Sequence, residues 1–174
     1  MSKLYTFLCF FCLVNFSQNT KIFNESQKVS QAKTFYKVIG VKDGDTIVLL
    51  MNGKEQTIRF AHIDCPEKKQ PFGTKAKQFV SNACFGKYVT LEINPKNKYD
   101  RNKRLIAEVI LKNGKNLNKE LVKNGLAWHF KKYSDSKVYD QLEKNARKNK
   151  FGIWSEPNPI APWNWRKGKK NNFQ

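Results

Sequence analysis

Between residues 34 and 63 the chain reads TFYKVIGVKDGDTIVLLMNGKEQTIRFAHI. Val38, Ile39 and Val41 belong to one apolar strand segment, and residues 47–51 form a second. Asp43-Gly44-Asp45 supplies turn-forming residues between them. Asn52-Gly53 fits a two-residue hairpin, since both positions of that turn need positive φ. The third run, residues 56–63, alternates, with Ile58, Phe60 and His62 on one face and Thr57, Arg59, Ala61 and Ile63 on the other. Three consecutive strands are predicted.

Beyond this stretch the period changes. Ala76, Phe79, Val80 and Ala83 recur at helical spacing within residues 74–84, and Gly86 ends that helix. Alternation returns at Val89, Leu91 and Ile93, set against Tyr88, Thr90 and Glu92. A fifth strand spans residues 105–111 and closes at Asn113-Gly114. Residues 116–124 predict a short helix stopping at Gly125, where a left-handed cap fits. Residues 136–150 predict a last helix with Tyr139, Leu142 and Ala146 inward. This order predicts an α+β fold, mainly β: an OB-fold five-stranded barrel with three packed α-helices, an architecture that often binds nucleic acids.

The 174 residues suit one domain with a single core. Lys and Arg outnumber Asp and Glu by 33 to 14, a formal net charge of +19. That excess says little about fold and much about partners, and nucleic acid is the polyanion that most often rewards it. At the N-terminus, Lys3 precedes an apolar run over residues 4–16, followed by Ser17. Residues 1–17 therefore predict a signal peptide and a secreted or periplasmic protein, with an N-terminal membrane anchor as the alternative. Residues 18–33 predict a linker, residues 34–156 the folded domain, and residues 157–174 a basic tail rich in Trp and Pro. The tail is expected to wrap the surface, with Trp163 and Trp165 packing down rather than touching a ligand. Cys65 and Cys84 would remain after signal removal. A disulfide between them would close a loop of about 19 residues and contribute roughly 3 kcal/mol; two buried free thiols are the alternative.

Three short stretches hold the polar groups of interest: Asp43-Gly44-Asp45-Thr46, then Arg59 with Asp64-Cys65-Pro66-Glu67, then residues 100–104. Singly, each has an ordinary explanation in turn chemistry or a solvated arginine. Together they gather hard oxygen donors from Asp45, Asp64 and Glu67 at one end of a barrel, a donor set that suits Ca²⁺. The histidines and cysteines lack zinc-ligand spacing. A carboxylate-held cation, a glutamate for water and arginines for phosphate are what phosphodiester hydrolysis requires.

The order Asp-Gly-Asp-Thr, an arginine on a following strand, Ile-Asp-x-Pro-Glu, and an arginine before Leu105-Ile106-Ala107-Glu108-Val109 resembles the staphylococcal nuclease (thermonuclease) family. Gly125-Leu126-Ala127-Trp128 and Gly152-Ile153-Trp154-Ser155 extend the resemblance, which runs over residues 34–166. It implies a Ca²⁺-dependent, monomeric endonuclease that cleaves DNA and RNA to 3′-phosphorylated products. Asp45 and Asp64 then match calcium-ligand aspartates, and Cys65 matches a position that offers its backbone carbonyl. Asp43 matches an acidic residue beside the metal. Glu67 matches the proposed general base, and Arg59 and Arg104 the phosphate-binding arginines. Asn102-Lys103 stands where the family commonly has Tyr-Gly, so Arg101 competes with Arg104 for the second arginine, Arg104 keeping the strand register ungapped. Tyr133 corresponds to a substrate-contacting tyrosine. His129, inside an apolar Trp-His-Phe run, is expected to be structural. A non-catalytic OB-fold nucleic-acid-binding protein is the competing reading.

Overall fold

The computed structural model describes residues 33–168. The expected signal peptide, the expected linker apart from Lys33, and residues 169–174 lie outside the described residues. Five strands close into a barrel: β1 (Tyr36–Val41), β2 (Thr46–Met51), β3 (Lys54–Phe60), β5 (Tyr88–Glu92) and β6 (Leu105–Leu111), in the order β1-β2-β3-β6-β5. All neighbours are antiparallel except β3 and β6, which pair in parallel through Ile58↔Leu105, Arg59↔Ile106 and Phe60↔Ala107. The expected five-stranded barrel is thus present, and its closure leaves no exposed edge along the ring.

Local chemistry accounts for the turns. Asn52 and Gly53 both have positive φ (51° and 75°) between Met51 and Lys54, the geometry a two-residue hairpin demands. The register of β1 on β2 shifts between Val38 and Gly40, a bulge that bends the strand as the ring closes. Val38, Ile47, Leu49, Ile58, Phe60, Val89, Leu105, Ala107 and Val109 fill the interior.

The third strand does not run through to Ile63 as its alternation suggested. It ends at Phe60, and His62 turns the chain with φ 68°. A separate two-residue strand, β4 (Ile63–Asp64), then pairs with β7 (Trp128–His129). The backbone gains more here by bonding to β6 and the following loops: the Ala61 N–H donates to the Ala107 carbonyl at 2.8 Å, and the Phe130 N–H to the His62 carbonyl at 2.8 Å.

Among the described residues three helices of seven residues or more pack on the barrel: α1 (Gly73–Cys84), α2 (Leu117–Lys123) and α3 (Lys137–Lys148). On α1, Gly73, Ala76, Val80 and Cys84 are buried, with Phe79 and Ala83 only partly so. On α3, Tyr139, Glu143 and Ala146 face inward, and Leu142 is partly buried. A fourth, four-residue helix, α4 (Pro162–Trp165), lies in the tail. Cys65 and Cys84 are both buried free thiols, with no disulfide between them.

Asn118, on α2, is fully buried and joins three pieces of chain. Its amide donates to the Ala61 carbonyl (3.0 Å) and the Ala107 carbonyl (3.2 Å), and its oxygen accepts from the Val109 N–H (3.0 Å). It ties α2 to β6 and to the corner where β3 ends. Asn118→Ala leaves buried backbone groups unpaired and is expected to lower stability by about 2–3 kcal/mol in urea unfolding; a change below 0.5 kcal/mol would show that the corner does not depend on this amide.

Candidate active site

The break at His62 carries Ile63 and Asp64 across the end of the barrel, beside the turn between β1 and β2. Asp45 and Asp64 meet there, at 6% and 3% exposure. Arg59, projecting from β3, lies between them: its Nη2 is 2.8 Å from Asp64 Oδ1 and 3.3 Å from Asp45 Oδ2. Its other terminal nitrogen donates to the carbonyls of Phe60 (2.8 Å) and Ile63 (2.9 Å). The guanidinium is therefore fixed by four protein oxygens before any ligand arrives.

The surrounding backbone is shaped to hold this group. Asp43 Oδ1 accepts from the Asp45 N–H at 3.0 Å, and Thr46 Oγ1 donates to Asp45 Oδ1 at 3.2 Å. The Cys65 N–H donates to Asp45 Oδ2 at 2.7 Å, drawing the segment after β4 onto the first turn. Gly44 is needed for close approach rather than for a special dihedral. A Cβ there would lie 2.8 Å from that of Ala76 and 2.9 Å from that of Cys65.

Glu67 sits on the rim. Its N–H donates to Gln70 Oε1 (3.1 Å) and its carbonyl accepts from the Gln70 N–H (2.8 Å). A Cβ on Gly73 would collide with that same Glu67 carbonyl, so only glycine lets α1 start against this loop.

Electrostatics at the aspartates are unbalanced. Burial, reinforced by Asp43 and Asp64, lifts the Asp45 carboxyl to about 7 despite Arg59 and the Cys65 N–H. For Arg59, burial works against the charge, yet Asp45 and Asp64 hold the guanidinium above its usual value. At Asp45 the positive charge of Arg59 therefore does not offset burial.

Among the described residues no three His, Cys, Asp or Glu side chains converge as a metal cage. The donors that do converge are hard carboxylate oxygens in a pair, a set that fits a hard cation such as Ca²⁺ retaining several waters. His62 and His129 are engaged elsewhere, both on Ser134 Oγ, at 2.8 and 2.9 Å. His129 is buried, its backbone N–H bonded to Glu143, and burial lowers its pKa, so its environment is a structural one.

An open cleft of about 1870 Å³ runs from this group, lined by Asp43, Asp45, Arg59, Asp64, Glu67 and Arg104 among others. Arg104 is on its wall, held by Asp100: Nε and Nη2 are each 2.7 Å from Asp100 Oδ2, and the Arg104 N–H donates to Oδ1 at 2.9 Å. Burial opposes it, but these bonds to Arg104 bring the Asp100 carboxyl below its usual value. Arg101 is exposed on the same wall. Arg104 pairs with Asp100 rather than with Asp45 or Asp64. Tyr133 stands on the rim, 67% exposed, with its ring edge-on to Phe130.

One residue at the centre was not anticipated. Arg166 Nη2 is 2.8 Å from Asp64 Oδ2, and its Nη1 is 2.6 Å from Glu67 Oε1. The tail brings it there: Ala161 is buried, and Trp163 packs down as expected, stacking on Phe130 (5.2 Å, 7°) and meeting Trp128 edge-on, whereas Trp165, expected to pack down too, is exposed. Pro162 at the first turn of α4, followed by two tryptophans, signals a packed helical turn. Nothing in the sequence shows where the arginine after it points.

Residues 57–156 match the family model described as staphylococcal nuclease homologue. An uncharacterized endonuclease of Haemophilus influenzae is 38% identical over 153 residues, covering 87% of this chain and 84% of that protein. An uncharacterized endonuclease of Escherichia coli O157:H7 is 35% identical over 133 residues, 76% of this chain and 85% of its own. A micrococcal nuclease of Shigella flexneri is 34% identical over 142 residues, covering 77% and 81%. With the barrel, the carboxylate pair around Arg59 and these matches together, the chain belongs to the staphylococcal nuclease homologue family.

Proposed function

We propose that this protein is a Ca²⁺-dependent endonuclease that hydrolyses phosphodiester bonds of DNA and RNA, leaving 3′-phosphates. The observation that carries the reading is the Asp45–Arg59–Asp64 group with Glu67 at its edge, opening onto a long cleft on a strongly basic protein. The names of the relatives, endonuclease and micrococcal nuclease, support nucleic-acid hydrolysis. A pure binding module has no need of buried carboxylates in its binding cleft, since they repel the phosphates it must hold.

In this reading Asp45, Asp64 and the backbone carbonyl of Cys65 would hold Ca²⁺, with Asp43 buttressing Asp45 through its backbone N–H. The bound ion supplies charge neutralisation at the phosphate. Glu67 orients a water and takes its proton as the water oxygen bonds to phosphorus. The bond from phosphorus to the 5′ oxygen breaks, and that oxygen leaves with a proton from solvent. Arg59 and Arg104 place fixed positive charge near the non-bridging oxygens; the terminal nitrogens of Arg59 are held by four protein oxygens and Arg104 Nε and Nη2 by Asp100, so both act through charge and their remaining N–H groups. Arg59 needs little reorganisation, because its four protein partners already hold it. Tyr133 offers an exposed ring to a base or sugar at the cleft edge. Export directed by residues 1–17, with the protein acting as a monomer outside the cytoplasm, belongs to the same proposal; retention by that segment as an anchor is its alternative.

Plasmid DNA incubated with the purified protein should be nicked and degraded with Ca²⁺ and left intact with a chelator. Absence of cleavage with every divalent cation tried would leave the non-catalytic binder. Calcium at about 100 times its Kd should stabilise the fold by roughly 2.7 kcal/mol, seen as a rise in Tm. Asp45→Asn combined with Asp64→Asn should abolish that rise; its persistence would place the ion elsewhere. Glu67→Gln should lower turnover about 10²- to 10⁴-fold and Arg59→Ala about 10²- to 10³-fold, each measured where circular dichroism shows the variant folded, since Arg59→Ala also removes the partner of the buried aspartates. Near-normal turnover in either variant would remove that residue from the role given to it.

A further inference from the structure

Arg166 lies outside the span that matches the family model, residues 57–156, yet its side chain touches two of the three carboxylates at the site. Its placement is built into the fold. Gln70, 6% exposed, is a shared staple: its oxygen accepts from the Glu67 N–H, and its amide nitrogen donates to the Ile160 carbonyl. The loop that presents Glu67 and the tail that presents Arg166 are therefore one unit. The Arg166 N–H donates to the Pro162 carbonyl at 3.0 Å, and Trp163, three residues earlier, is clamped against Phe130 and Trp128. The backbone of Arg166 is thus anchored, while its side chain remains 45% exposed and faces the cleft.

Resting on the nuclease reading, we propose that Arg166 is a third phosphate-binding arginine, one that exchanges Glu67 for a non-bridging oxygen of the bound phosphodiester. Two arguments carry it. The guanidinium at 2.6 Å occupies one oxygen of Glu67, Oε1, and a phosphate that takes over this guanidinium nitrogen frees that oxygen to orient a water. A non-bridging phosphate oxygen can replace Glu67 Oε1 on Nη1 while Nη2 stays on Asp64, so the exchange keeps the guanidinium satisfied. Lysine could carry the charge but not the fixed geometry that reaches Asp64 and a phosphate together.

The test compares the wild-type protein with Arg166→Ala, Arg166→Gln and Arg166→Lys. kcat and KM are measured on DNA with Ca²⁺, and binding of a cleavage-resistant, fluorescein-labelled single-stranded phosphorothioate 12-mer is measured with Ca²⁺ across a salt series. Loss of the arginine should lower kcat/KM roughly 10²-fold with Tm nearly unchanged, and Arg166→Lys should recover part of it. The slope of log Kd against log salt should fall by about 0.7, one lost phosphate contact, in Arg166→Ala and Arg166→Gln. A residue that merely orders Glu67 would leave that slope untouched, so an unchanged slope overturns the proposal, as does kcat/KM within twofold of wild type. Should Arg166→Ala fail to fold, Arg166→Gln decides on the same criteria. A cleaving wild type with indifferent variants refutes this inference alone; a wild type inert with every divalent cation refutes the nuclease reading and this inference with it.

Discussion

The site depends on one buried ion cluster. Asp45 and Asp64 come from separate turns of the chain, and Arg59 between them, with Arg166 on the second oxygen of Asp64, makes their burial tolerable. Charges taken out of water cost several kcal/mol each, and removing one partner of such a group commonly costs about 3–5 kcal/mol. The protein meets that cost with geometry: four oxygens on Arg59, and N–H or hydroxyl donors on Asp45 from Cys65 and Thr46. What is left unmet, expressed in the raised Asp45 carboxyl, is the attraction that a cation would satisfy.

Barrel closure is what lets this cluster exist. β3 pairs in parallel with β6, so Arg59 is opposite Ile106 while Arg104 enters just before β6 begins. Both arginines are thereby aimed from neighbouring strands toward one cleft. The His62 turn then lays Asp64 across the barrel end instead of continuing outward. Had β3 run straight to Ile63, Asp64 would have been carried beyond the first turn, and the Cys65 N–H could not have reached Asp45. Asn118 secures that corner from behind, through Ala61 and Ala107.

The elements were largely legible because each has a local cause: Asn52-Gly53 for the hairpin, alternation in β5 and β6, helical spacing over α1. The motif residues were legible because their types at those spacings are unusual together. The end of β3 was not. Alternation continues through Ala61, His62 and Ile63, and the competing bonds that break the strand come from Ala107 and Phe130, distant in sequence. The buried Glu143 of α3 was missed for a similar reason. Its carboxylate accepts from the His129 N–H and pairs with Arg147, so a charged residue takes an inward position that periodicity reserves for an apolar one.

The sequence by itself determined the barrel's strands and turns, the basic character of the surface and the identity of the acidic and arginine motifs, since these follow from side-chain type and short-range spacing. Tertiary structure alone decided how the motifs meet. It set the turn at His62, left Cys65 and Cys84 as separate buried thiols, gave Arg104 to Asp100, and brought Arg166 from the tail onto Asp64 and Glu67. The physical reason is reach: a long side chain at the end of a packed segment takes whatever partner the fold sets before it, and that partner lies about a hundred residues away in the chain.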